Sequence, residues 1–217
     1  MAVRFVRVLF QAPIKDGPSI SNLLYFSDNN SIAGGRTLSA GAGENLLQNP
    51  GFEDGTSGWS TYGGALSIVG SQVHSGGSAA AFESNSATTK WIYQVVPVSG
   101  GESYTFSGYA IKNDPNIETI FLRISWYQSQ DGFGTEIAHH DSLSSLTDDQ
   151  SQYRFLTTGE ITAPADAHSA RVKAILEPVS DGEAIAFFDD FKFEGPPPAT
   201  PTPTPTPTPK SRYSFLS

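Results

Sequence analysis

The chain has 217 residues, a formal net charge of −9, a sequence pI of about 4.8 and no cysteine. This acidic balance, without any basic stripe, argues against nucleic acid as a partner and against electrostatic attachment to an anionic membrane. The lack of cysteine excludes a disulfide framework, a thiolate zinc site and a cysteine nucleophile.

Residues 1–44 carry little pattern. The opening MAVRFVRVLF is apolar, but Arg4 and Arg7 break the continuous apolar core that a signal peptide needs. No run in the chain approaches the ~20 apolar residues that span a bilayer, so membrane insertion is not expected. Segments rich in Gly, Ser and Asn follow, which favour loop or disorder. We expect a weakly structured segment with one short strand at Phe5–Phe10.

Residues 45–195 have the pattern of one folded domain. Apolar and polar residues alternate with a period of two in WIYQVVPV, SYTFSGYAI and ETIFLRISWYQ, as in half-buried strands. Turn signals such as Ser-Gly-Gly, Asn-Asp-Pro and Asp-Gly separate these runs. About nine or ten strands without a helix predict an all-β fold, an antiparallel jelly-roll β-sandwich with disordered N- and C-terminal flanks.

A Pro-Thr repeat follows the domain. Residues 196–209 read PPPATPTPTPTPTP, and proline at this density favours an extended polyproline-II linker. Such spacers join modules, but residues 210–217 are too few to form one. This short tail is either natural or the result of a truncation, since a repetitive gene segment is prone to slippage.

Three motifs in order carry a family resemblance. They are NLLQNPGFEDGTSGW at the start of the domain, HSGGSAAAF soon after it, and FFDDFKFEG in the last predicted strand. Together with VVPVSGGESYTFSGYA and ISWYQSQDG, they resemble the CenC-type carbohydrate-binding modules, the group of families 4, 9, 16 and 22 in the galactose-binding-like superfamily. The resemblance implies a β-sandwich that binds polysaccharide or oligosaccharide without catalysis.

The resemblance also implies a structural calcium ion. In many such modules, calcium fixes the N-terminal segment to the last strand, and calcium takes about six to eight oxygen ligands. Here the carboxylates would come from Glu53 and from Asp189 or Asp190. The turn at Gly51 and the turn that contains Ser75 would add carbonyl oxygens.

The adjacent Asp189 and Asp190 must point to opposite sides of a regular strand. Asp189 shares its parity with Phe187, Phe191 and Phe193. We therefore expect Asp189 to be the inward ligand, because a buried carboxylate needs a partner or a metal.

A sugar site needs aromatic platforms and fixed polar groups. Arg123 is charged, so its face of the strand should be open to solvent, and Tyr127 shares that face. Tyr109 alternates against apolar neighbours and is expected on the same open sheet. Trp91 and Gln128 complete the candidate ligand-binding residues.

The remaining aromatic and histidine residues favour structural roles. Trp126 shares a face with apolar neighbours and is expected in the core. Trp59 can be a core plug or a platform. His139 and His140 are neighbours on a strand, so they point in opposite directions and cannot easily chelate one metal ion.

The sequence thus predicts a non-catalytic carbohydrate-binding module that targets an attached or lost partner domain to polysaccharide. The alternative is a structural or adhesive extracellular spacer without glycan binding. No catalytic motif is evident, so any glycoside hydrolase activity would belong to an associated domain. We expect a monomer that is secreted or at the cell surface, although this chain shows no clear signal peptide.

Overall fold

The computed structural model describes residues 43–198, and these form strands joined by turns and loops. No helix in this part of the chain has the length and apolarity to cross a membrane. The strands are β1 (Glu44–Asn45), β2 (Ser60–Tyr62), β3 (Ala65–Val69), β4 (Ala79–Ser84), β5 (Lys90–Pro97), β6 (Ser103–Lys112), β7 (Ile117–Tyr127), β8 (Glu136–Asp141), β9 (Arg154–Thr162), β10 (Ser169–Pro178) and β11 (Ala184–Gly195).

These strands form two antiparallel sheets. The six-stranded sheet has the order β3-β4-β11-β6-β9, with β1 added on β11, and the five-stranded sheet has the order β2-β5-β10-β7-β8. The chain passes repeatedly from one sheet to the other, which is the connectivity of a jelly-roll sandwich. The predicted all-β fold is therefore confirmed for residues 43–198, with slightly more strands than expected.

Several predictions concern residues outside this range. The strand at Phe5–Phe10, the weak structure of the N-terminal segment, most of the Pro-Thr linker and the tail at residues 210–217 all lie outside the described residues. Those interpretations stay predictions.

Alternation places the core between the sheets. On β7, Leu122, Ile124 and Trp126 are fully buried between the sheets, as their pattern predicted. The indole Nε1 of Trp126 donates a hydrogen bond to Nδ1 of His140 at 3.1 Å. Trp126 is therefore a core residue, and its buried polar atom is satisfied.

The first motif is anchored by three aromatic rings. Phe52 is fully buried and Trp59 is 8% exposed. Their ring centroids lie 5.2 Å apart, and Phe191 of β11 lies 5.8 Å from Phe52 and 5.2 Å from Trp59. Trp59 also donates from Nε1 to the carbonyl oxygen of Asn49 at 3.0 Å. Trp59 is thus a core plug that fastens the N-terminal turn to the last strand.

A bulge interrupts β11 at the acidic pair. The register with β6 shifts between Asp189 and Lys192, and Asp190 has a positive φ of 50°. The bulge inserts one extra residue into β11 relative to β6. Phe191 and Phe193 therefore point inward like Phe188, whereas Phe187 is half-buried on the outer side. Asp189 is fully buried, but the predicted reason was wrong, since it shares the outer face with Phe187.

Candidate functional site

The predicted metal residues converge on one turn, His74–Ser78. Glu53 reaches this turn from the first motif, and its Oε1 accepts hydrogen bonds from the amides of Gly77 at 2.9 Å and Ser78 at 3.1 Å. Asp189 reaches it from β11, and its Oδ2 accepts from the amides of His74 at 2.9 Å and Ser75 at 3.2 Å. We call Glu53, Asp189 and Asp190 the carboxylate cluster.

Asp190 binds the side chains of the same turn. Its Oδ1 accepts from Oγ of Ser75 at 2.7 Å, and its Oδ2 lies 2.6 Å from Nδ1 of His74. The positive φ of Asp190 turns its carboxylate toward the turn rather than across the sheet. The bulge therefore lets two neighbouring carboxylates meet the same turn, which a regular strand would prevent.

Gly51 lies against both aspartates. A Cβ atom at this position would be 3.6 Å from Oδ1 of Asp190 and 3.8 Å from Oδ1 of Asp189. The carbonyl oxygen of Pro50 accepts a hydrogen bond from the amide of Phe191 at 3.0 Å. The N-terminal turn and the bulge of β11 are thus joined directly through their backbones.

Among the described residues, His74 is the one basic side chain that pairs with the cluster. Burial raises the pKa of Asp189, although the amides of His74, Ser75 and Asp190 oppose this shift. Burial, and then the charges of Asp189 and Asp190, also raise the pKa of the Tyr153 phenol. Within residues 43–198, no three acidic or histidine side chains are arranged to ligate one ion together.

Tyr109 belongs to this region, which corrects the prediction that it shares a sheet with Arg123 and Tyr127. It lies on β6 of the six-stranded sheet, opposite Asp189 in register. Its ring stacks on the imidazole of His74 with centroids 3.7 Å apart. Arg123 and Tyr127 lie on β7 of the other sheet.

The outer face of the five-stranded sheet gathers aromatic and cationic side chains. Arg171 of β10 lies between Val95 of β5 and Ser125 of β7 in register, and Lys173 lies between Tyr93 of β5 and Arg123 of β7. The same parity places Tyr62, Trp91 and Tyr127 on this side. We call this surface the cationic-aromatic face.

Trp91 contacts both an aromatic ring and a cation. The ring of Tyr62 stacks on it at 4.0 Å with an interplanar angle of 8°, and Nζ of Lys173 lies 5.3 Å from its ring centroid. Its Nε1 is buried and has no hydrogen-bond partner among the described residues. Tyr62 remains 57% exposed. The accessible ring at this edge is therefore Tyr62, with Trp91 as its support.

Arg171 occupies the centre of the face. Its guanidinium carbon lies 4.8 Å from the ring centroid of Tyr93, 5.2 Å from that of Tyr127 and 5.7 Å from that of Phe133. Tyr127 is only 5% exposed. The prediction of Tyr127 as an open platform was wrong, because this ring faces outward as expected but is covered.

The β7–β8 loop, residues 128–135, folds over one side of the face. A Cβ atom on Gly132 would lie 3.1 Å from Cγ1 and Cγ2 of Val95, so the loop rests on β5. The carbonyl oxygen of Gly132 accepts a hydrogen bond from Nη2 of Arg171 at 2.7 Å. Phe133 at the tip is 68% exposed, and Gln128 is exposed where the loop begins.

Two of the cations on this face have acidic partners. Arg123 binds both carboxylate oxygens of Asp141, at 2.5 Å from Nε and 2.8 Å from Nη2. Nζ of Lys173 lies 3.4 Å from Oε2 of Glu136. Burial lowers the pKa of Lys173, and Glu136 partly reverses that shift. Glu136 also lies 2.7 Å from Nδ1 of His139.

Sequence reasoning found part of this face. Trp91, Arg123 and Tyr127 were candidates, whereas the two exposed rings, Tyr62 and Phe133, were missed. Tyr93 has a usable signal, since it shares its parity with Trp91 in WIYQVVPV. Phe133 and Tyr62 lie in short elements where no alternation is long enough to assign a face.

The comparisons with known proteins define the class. The sequence profile of the family described as Carbohydrate binding domain, CBM_4_9, matches residues 44–176, which is more than half of the chain. The chain belongs to this carbohydrate-binding domain family, as the motifs predicted. No curated protein matches the chain.

Solved structures support the same fold. The CBM22-2 xylan-binding domain from Paenibacillus barcinonensis Xyn10C is 17% identical with a TM-score of 0.54, over 67% of this chain and 97% of that chain. A xylan-binding domain from CBM 22 is 17% identical with a TM-score of 0.54, over 70% and 96%. Family 16 Carbohydrate Binding Module-2 is 14% identical with a TM-score of 0.50, over 69% and 99%.

Proposed function

We propose that this non-catalytic module binds polysaccharide on the cationic-aromatic face. The observation that carries the proposal is the pair of exposed rings, Tyr62 at 57% and Phe133 at 68%, on either side of a row of cations. Sugars present apolar C–H faces that stack on aromatic rings, and hydroxyl rims that need fixed donors and acceptors. Both kinds of group lie together on this face.

The supporting contacts favour binding because they fix the groups in advance. Tyr62 is held flat by Trp91, and Arg123 is held by its two bonds to Asp141. Side chains that are already ordered lose little entropy when a ligand arrives. The buried Nε1 of Trp91, next to Tyr62, has no hydrogen-bond partner among the described residues.

The first ligand to test is xylan. Two of the similar structures are xylan-binding domains, and family membership supports a carbohydrate ligand. We further propose that the module concentrates a partner domain on polysaccharide outside the cell, with any hydrolase activity residing in that partner. If no polysaccharide binds, the alternative of a structural or adhesive spacer takes its place.

The test is affinity electrophoresis of the full chain in gels that contain soluble xylan, β-glucan or galactan, followed by calorimetry with the best ligand. Tyr62→Ala should lower the affinity at least about fivefold, or ~1 kcal/mol, with little change in melting temperature. The matched control is Phe155→Ala, since Phe155 is also 53% exposed but lies on β9 of the other sheet. A Tyr62→Ala variant that binds as well as the wild type would contradict the proposed face.

We also propose a structural calcium ion at the carboxylate cluster. Glu53, Asp189 and Asp190 would supply carboxylate oxygens, and the backbone at Gly51 and Ser75 would supply carbonyl oxygens. Calcium prefers oxygen ligands, which these residues supply, but the carboxylates would have to move to bind it, because no three acidic or histidine side chains within residues 43–198 are arranged to hold one ion. An ion here would hold the N-terminal turn against the bulge of β11.

A further inference from the structure

The cation at the centre of the face differs from its neighbours. Arg123 is paired with Asp141, and Lys173 lies near Glu136. Arg171 forms no salt bridge with any residue in the described range 43–198. Its one hydrogen bond there goes from Nη2 to the neutral carbonyl oxygen of Gly132.

Most of the donors on Arg171 are therefore unused. A guanidinium has five N–H donors in a planar fork, and Nε is buried without a partner among the described residues. The rings of Tyr93, Tyr127 and Phe133 lie within 5.7 Å of the guanidinium carbon. These contacts hold the guanidinium in place without neutralising its charge.

We propose that Arg171 receives the carboxylate of a uronic acid residue, so that the face selects acidic polysaccharides. This inference depends on the proposed function and names the ligand class for the same face. A planar guanidinium matches a carboxylate through paired hydrogen bonds, and such charge-assisted bonds are stronger than neutral ones. The exposed rings of Phe133 and Tyr62 on the same face suit the apolar faces of the adjoining sugars.

The charge of the whole chain makes this selectivity informative. With a net charge of −9, the protein as a whole repels polyanions, so general electrostatic attraction would not produce a preference for an acidic glycan. On the face itself, the cations Arg123, Arg171 and Lys173 are matched in number by the carboxylates Glu136, Asp141 and Glu177, but Arg171 forms a salt bridge with none of them. A preference for uronate would therefore report a local contact.

The experiment compares each acidic polysaccharide with its own carboxyl-reduced form, which keeps the backbone and removes the charge. Glucuronoxylan, polygalacturonate and alginate are tested with the full chain at low salt, beside neutral xylan, β-glucan and galactan. At least one native acidic form should bind about fivefold or more tightly than its reduced form. Added salt should reduce that ratio, because screening weakens the ionic contact.

Variants then assign the preference to one residue. Arg171→Gln should bring the ratio of native to reduced affinity close to one, while Arg171→Lys should keep part of it because the charge remains. The control is Arg154→Gln, an exposed arginine on β9 of the other sheet, which should leave the ratio unchanged. Melting curves identify any variant that is unfolded.

Each outcome separates the two proposals. Equal affinity for native and reduced forms, or binding to neutral polysaccharides alone, overturns the selection of acidic glycans and leaves the proposed face intact. Binding to no polysaccharide overturns both. The wild-type comparison does not depend on any substitution, so it decides the question even if Arg171→Gln destabilises the loop that contains Gly132.

Discussion

The two outer faces of the sandwich gather side chains of opposite charge. On the six-stranded sheet, Asp189 and Asp190 concentrate negative charge against the turn at His74–Ser78. On the five-stranded sheet, Arg171 and Lys173 concentrate positive charge among aromatic rings. The first arrangement joins distant parts of the chain, and the second leaves donors and rings available to a ligand.

The difference between the faces originates in the central strands. β10 is regular from Ser169 to Glu177, so its outward side chains form a straight row between two neighbouring strands. β11 has a bulge between Asp189 and Lys192 that turns consecutive side chains toward one loop. A regular strand thus presents a row of side chains along a surface, whereas a bulged strand can direct neighbouring side chains toward one turn.

The largest expected effect concerns the acidic side of this comparison. If calcium binds the carboxylate cluster, excess EDTA should lower the melting temperature, and added calcium should restore it. A ligand present at about a hundred times its Kd stabilises the native state by ~2.7 kcal/mol, which corresponds to roughly 5–10 °C for a domain of this size. Differential scanning calorimetry measures the shift.

Two variants make that measurement specific. Glu53→Ala should abolish the response to EDTA, because it removes the carboxylate that reaches the turn from the first motif. Glu118→Ala is the control, since Glu118 is an exposed carboxylate on β7 and should leave the response intact. An identical melting curve with and without EDTA would rule out the calcium site.

A smaller effect tests whether the two faces are independent. Tyr109→Ala should leave the affinity for polysaccharide unchanged, because Tyr109 lies on the other sheet from Tyr62. It should lower the free energy of unfolding by about 1 kcal/mol beyond the loss of buried area, since the ring stacks on His74. Calorimetry with the best glycan and denaturant unfolding measure the two quantities. If Tyr109→Ala instead lowers the glycan affinity as much as Tyr62→Ala does, the two faces do not act independently in binding.

The sequence predicted each face locally but could not pair the strands. Alternation assigned Leu122, Ile124 and Trp126 to the core and Arg123 to the surface, because side-chain direction depends only on neighbouring residues. Assigning Tyr109 to the sheet of Arg123 failed, since β6 pairs with β9 and β11 rather than with β7. Pairing depends on contacts between distant residues, which periodicity does not encode.

In the carboxylate cluster and in the β7–β8 loop, too, local sequence pattern predicted only part of the arrangement. Glu53, Asp189 and Asp190 were selected together through the family resemblance, and they do meet one turn. Asp189 does not follow the parity of Phe191 and Phe193, because the bulge at Asp190, with its positive φ, changes the direction of every later side chain. Phe133 was missed because a loop has no period to read, and its position follows from the contact of Gly132 with Val95.

The smallest expected effect is a pH dependence on the cationic side. Burial lowers the pKa of Lys173 below its ordinary value of 10.5. Between the lowered folded value and 10.5, the unfolded chain binds more protons than the folded one at this residue, so stability rises with pH in that window. The free energy of unfolding of the wild type should therefore rise relative to that of Lys173→Met as the pH approaches 10.5. Near neutral pH, the difference between the two free energies should be constant. Urea unfolding of both proteins from pH 7 to 10.5 measures this difference. A wild type that loses stability relative to the variant as the pH rises would mean that Glu136, rather than burial, determines the direction of the pKa shift of Lys173.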